Sequence, residues 1–144
     1  MPVLFFALEN QFELTHKRSL NRWIKEIISS HSFKCGDISY IFTGNNKILE
    51  INQQFLKHSY YTDIITFNYN YENYISGDIY ISIDTVRTNS LLYQVTFEEE
   101  LYRVMIHGIL HLIGFDDKSK KDKIEMKEQE NNNLEILYSK YLHK

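Results

Sequence analysis

A chain of 144 residues, 43% of them hydrophobic, is long enough for one domain to bury its own core without disulfides or a structural metal. Its formal charge of −3 excludes a protein that is basic all over, although a local patch is enough for phosphate contacts. The single cysteine, Cys35, excludes an internal disulfide and any cysteine-rich zinc site, and it fits a reduced compartment.

Residues 2–8 are apolar but carry no basic flank and are too short for a membrane span, so they read as a buried first strand and the chain as cytoplasmic. From 16 to 30, Leu20, Trp23, Ile24, Ile27 and Ile28 recur at helical spacing, with Trp23 as a core anchor. A strand over 38–42 ends at Gly44, and a helix over 47–56 places Ile48, Ile51, Gln54 and Phe55 on one side. Residues 64–68 form a strand, 69–74 a tyrosine-rich connection, and 78–83 the alternating return strand. Asp84 or Thr85 caps a helix running to about Tyr93.

Thr96 followed by Glu99 is a capping box. The helix dipole accounts for Glu98, Glu99 and Glu100 in the first turn, so they are given no catalytic role. That helix is apolar on nearly every side, and so central. Residues 120–142 form a charged helix packing through Ile124, Leu134, Leu137 and Tyr141. The pattern predicts one domain over 1–144 of α+β (mixed α/β) class: a single mixed four-stranded sheet covered by about five helices, with a metal site on the central helix.

The central helix carries His107-Gly108-Ile109-Leu110-His111-Leu112-Ile113-Gly114-Phe115-Asp116-Asp117. Histidines four apart stack on one helical face, the spacing that offers two imidazoles to one metal ion. Gly114 can end the helix and turn the chain back, bringing Asp117 in from a third direction. Against this stands a plainer alternative: one core histidine, one bonded to a carbonyl, and two aspartates capping the next helix. The glycine turn and the carboxylate beyond it favour the metal. Two imidazoles, one carboxylate and an open position describe a catalytic site best suited to Zn²⁺, with another divalent metal as the alternative. Such an ion can bring the pKa of water from near 16 to about 7, making a nucleophile for hydrolysis. The glutamate base of the metalloprotease signature is absent, its position being Gly108, which argues against peptide hydrolysis.

This run resembles the hallmark His-Gly-x-Leu-His-Leu-x-Gly-[Tyr/Phe]-Asp-His of the YbeY rRNA maturation factors, metal-dependent single-strand endoribonucleases. Ile51-Asn52-Gln53-Gln54-Phe55, Thr62-Asp63-Ile64-Ile65-Thr66-Phe67 and Gly77-Asp78-Ile79 resemble further family segments, in order and at similar spacing. The resemblance implies a zinc-dependent endoribonuclease acting on RNA in 16S rRNA 3′-end processing and ribosome quality control, with ribosomal subunits as partners and neither membrane nor DNA. Three positions depart from the family. The third ligand is Asp117 rather than histidine, with Asp116 the weaker alternative, and a proline is replaced by Tyr61. Leu56 stands where the family has an arginine; neighbouring Lys57 and His58 can supply charge or a proton, but nothing in the sequence assigns them. Lys118, Lys120, Lys121, Lys123 and Lys127 crowd the exit of the motif, with Tyr60, Tyr61 and Tyr69 available to stack bases. Apart from the resemblance, a solvated lysine face and packed tyrosines are the simpler reading. The alternative function is a ribosome-associated binding factor whose metal is mainly structural.

Overall fold

The structure, a computed structural model, describes residues 3–56 and 62–142. Strand β1 (Leu4–Ala7) leads to helix α1 (Lys17–Ser30), strand β2 (Lys34–Thr43) and helix α2 (Asn45–Ile51), which runs into a π-helical turn, Asn52–Leu56. Strands β3 (Ile64–Asn68) and β4 (Tyr74–Ser82) follow, then helices α3 (Ile83–Tyr93), α4 (Phe97–Ile113) and α5 (Lys120–Ile136), the last ending in a second π-helical turn, Leu137–Tyr141. The strands form one mixed sheet in the order β1-β2-β4-β3, parallel except for the β3–β4 pair. This is the α+β class expected from the sequence. No helix among the described residues is long and apolar enough to cross a membrane.

Alternation along the strands puts Ile38, Tyr40 and Phe42 of β2 and Ile75, Ile79 and Ile81 of β4 on one buried face. Helices α1 and α4 cover it. The Tyr40 hydroxyl donates to the Met105 carbonyl (2.8 Å), locking sheet to α4. Trp23 is fully buried, and its indole N–H donates to the Asn133 carbonyl (2.9 Å), tying α1 to α5. A Cβ on Gly108 would lie 3.0 Å from both Ile64 and Ile79, so the missing side chain lets α4 settle close to the sheet. Helix α4 is buried along most of its length, as its apolar sequence requires.

The structure corrects several local expectations. Strand β1 is an edge strand paired only to β2, leaving Leu4 46% and Phe6 51% exposed rather than buried. Ser82 caps α3, accepting from the Thr85 N–H (3.2 Å), in place of Asp84 or Thr85: β4 runs straight into the helix. Strands β2 and β4 begin at Lys34 and Tyr74, four residues ahead of the alternating segments, because the two pair with each other there; their register shifts between Cys35 and Ile38. On α2, Ile48 and Ile51 pack against Ile65, whereas Phe55 lies in the π-helical turn and is exposed. On α5, Ile124 points outward and Met126 takes the buried position.

Candidate metal centre and its cleft

Helix α4 starts where the sequence places it, with the Thr96 hydroxyl accepting from the Glu99 N–H (3.1 Å). It ends at Gly114, whose φ of 127° is open to glycine but strained for other residues. The N–H groups of Gly114 and Phe115 return to the Leu110 carbonyl, closing the last turn. The chain then doubles back and carries Asp117 over the face that holds both histidines.

There His107 Nε2 and His111 Nε2 lie 3.0 Å apart, and Asp117 Oδ2 is 3.3 Å and 3.4 Å from them. Asp116 does not compete, because its Oδ1 accepts the Asp117 N–H (2.8 Å). The other ring nitrogen of His107, Nδ1, is 2.6 Å from Glu130 Oε2 on α5. An ionised carboxylate only accepts, so Nδ1 carries the proton and Nε2 presents its lone pair to the triad. Two ring nitrogens and a carboxylate oxygen so disposed must share either a proton or a cation. Their spacing fits a cation: ligands about 2.0–2.1 Å from a tetrahedral ion stand about 3.3–3.4 Å apart. The triad also lies at the C-terminal end of α4, where the helix dipole favours positive charge. His107, His111 and Asp117 could therefore hold one metal ion.

Behind the triad runs a charged relay that sequence reading missed. Arg103, one turn before His107, donates through Nη1 to Glu130 Oε1 (3.0 Å) and through Nη2 to Asn131 Oδ1 (2.9 Å). Glu130 is thereby held between guanidinium and imidazole, largely buried, as an outer carboxylate that orients a ligating histidine. Burial pulls the His107 pKa down, but the Glu130 hydrogen bond and charge, with Asp117 and Asp63, outweigh it and raise the pKa above its usual value. A cleft of about 730 Å³ opens beside the triad, lined by His107, Asp117, Arg103, Glu100, Asp63 and Tyr93 among others. Burial and then the charge of Asp63 push Glu100 up to about 7, with Arg103 opposing. Burial also raises Asp63, against the pull of His107. The acidic first turn of α4 also borders this cleft: Glu99 and Glu100 line it, and Glu100 is 4% exposed.

A signal for these residues was present. Glu100, Arg103, His107 and His111 form a polar stripe at helical spacing on an otherwise apolar helix, and Glu130 stands in the buried stripe of α5 with Met126 and Leu134. Of the lysines at the motif's exit, Lys123 and Lys127 line the cleft. Tyr69 is exposed, outside the residues lining that cleft. Lys57, His58, Tyr60 and Tyr61 lie outside the described residues.

The family model described as endoribonuclease YbeY matches residues 6–138. This chain belongs to the YbeY family. A relative named endoribonuclease YbeY in Parabacteroides distasonis is 48% identical over 137 residues, covering 95% of this chain and 96% of its own. One of the same name in Flavobacterium psychrophilum is 44% identical, covering 96% of this chain and 99% of its own. The solution structure of TM1509 from Thermotoga maritima superposes with a TM-score of 0.67 at 29% identity, covering 96% of this chain and 91% of that one. By that name the YbeY relatives are nucleases, enzymes that hydrolyse RNA.

Proposed function

We propose that this chain is a single-domain, cytoplasmic, zinc-dependent endoribonuclease that cuts single-stranded RNA, acting on ribosomal RNA in 16S 3′-end maturation and ribosome quality control. The observation that carries this reading is the convergence of His107, His111 and Asp117 at the end of α4 in a chain of the YbeY family. Zinc suits a donor set of two imidazoles and one carboxylate. When bound, the ion supplies Lewis acidity toward water and the phosphodiester. Glu130 keeps the His107 ring in the tautomer that leaves Nε2 free. Arg103 neutralises Glu130 and brings positive charge to the cleft wall. Lys123 and Lys127, exposed on α5 along the cleft, attract the RNA backbone.

The test is cleavage of single-stranded and duplex RNA by zinc-loaded protein, beside metal analysis of wild type, His107→Ala and Asp117→Ala. About one zinc per wild-type chain, reduced in both variants, with single strands cut only by the wild type, is the expected result. RNA that survives the wild type as well as it survives His107→Ala removes the nuclease. Co-sedimentation with ribosomal subunits that persists in His107→Ala would then identify a binding factor.

A further inference from the structure

The cleft beside the triad is polarised in a way that hydrolysis does not require. Its less exposed lining is acidic, with Asp63, Glu99 and Glu100, whereas α5 contributes the exposed Lys123 and Lys127. The same lining includes apolar side chains, Val104 and Met126 buried and Val95 partly so, and Tyr93, which is 59% exposed. Glu100 is 4% exposed and its carboxyl has no hydrogen-bond partner among the described residues. Burial, and then the nearby charge of Asp63, raise its pKa, with Arg103 opposing. A largely buried carboxylate that faces a cleft and has no hydrogen-bond partner there can take donors from a ligand.

A metal ion is a poor candidate for that ligand. Among the described residues only His107, His111 and Asp117 bring three ligand atoms together, so Asp63, Glu100 and Glu130 do not converge as the triad does. A nucleotide fits better: a flat base for the apolar side chains, a ring face for Tyr93, and a phosphate for the exposed lysines. The volume, about 730 Å³, lies within the range of small-molecule sites. Guanine presents two adjacent N–H donors, N1–H and the N2 amino group, to a carboxylate with two oxygens, whereas cytosine and adenine each offer a single amino group and uracil a single imide N–H.

We propose that this cleft is a nucleobase subsite for a guanine of the RNA strand, with Glu100 reading its Watson–Crick edge, Tyr93 stacking on it, and Lys123 and Lys127 holding its phosphate. This rests on the nuclease reading for its substrate class, and it places a specific base beside the scissile position.

The experiment measures binding of the four ribonucleoside 5′-monophosphates to the full chain by NMR titration, and so needs no cleavage. GMP is expected to bind about ten-fold more tightly than AMP, CMP or UMP. Glu100→Gln should bring the four within about two-fold of one another, and Tyr93→Ala should weaken all four while keeping the order. His111→Ala, a triad variant whose side chain does not line the cleft, should keep the guanine preference. This separates the subsite from the nuclease, whose cleavage should be lost in that variant. Four nucleotides that bind alike, or fail to bind, overturn the proposal, as does a preference that survives Glu100→Gln. A second zinc ion bound by the wild type and lost in Glu100→Gln would overturn it too, by assigning the carboxylate to a cation.

Discussion

At the scale of single residues, the site depends on carboxylates held in unlike surroundings. Glu130 is an acceptor locked between Arg103 and His107. Glu130→Gln keeps the shape but removes the charge that fixes the His107 tautomer. Zinc affinity measured by competition with a chelator should fall by about ten-fold, while the thermal transition of the metal-free protein stays sharp. Glu100 behaves oppositely. Its folded pKa, about 7, lies above the unfolded value near 4.5, so the folded protein binds more protons between those values. Its stabilising contribution is fully present below about pH 4.5 and is lost as pH rises through about 7. Asp63, Arg103, Glu130 and Glu99 all act on it, and Arg103 alone among them favours ionisation. Since Gln does not titrate, Glu100→Gln should gain stability relative to wild type from pH 5 to pH 8. A gain on the order of 1 kcal/mol in urea unfolding is expected, allowing for the opening of the site to water. A difference that does not change with pH would mean that Glu100 is ionised throughout.

At the scale of elements, α4 does the positioning. Its start is set by Thr96 and its end by Gly114, and Gly108 sets its height above the sheet. Adding branched carbons at 108 must push the helix off Ile64 and Ile79, which lie 3.0 Å from where a Cβ would stand. Gly108→Val should destabilise the fold by about 2 kcal/mol in urea unfolding, more than any gain in helix propensity returns. It should also weaken zinc binding, because 108 adjoins His107. Unchanged stability would mean that the sheet yields at no cost. The acidic first turn of α4 shows the limit of an explanation that is merely sufficient. The dipole accounts for three glutamates, but only packing against α5 and the Asp63 segment turns Glu100 into a cleft residue.

At the scale of the whole molecule, the two halves of the site come from the consecutive helices α4 and α5, and the core aligns them. Trp23 spans that core, joining α1 to the Asn133 carbonyl on α5, one turn beyond Glu130. Trp23→Phe forfeits this hydrogen bond and part of a fully buried ring. It should cost about 2 kcal/mol, seen as a lower urea midpoint at unchanged slope, with zinc content of the folded protein retained. Loss of zinc at full folding would show that α5 shifts before the core fails.

The order of strands and helices, the class of fold, the central helix and the grouping of His107, His111 and Asp117 were legible in the sequence. Each is written in a local code: alternation for strands, spacing of 3.6 for helices, a capping hydroxyl, a glycine at the turn. The exposure of Leu4 and Phe6 was not, because being an edge strand is a property of the sheet order rather than of the strand. Nor was the outward turn of Ile124 or the cap at Ser82, each decided by what packs against the element. The Arg103–Glu130–His107 relay joins residues 23 and 27 positions apart, and no local period links them. A side chain's own chain neighbours set its direction, but its partner is whatever the tertiary fold brings across from another element.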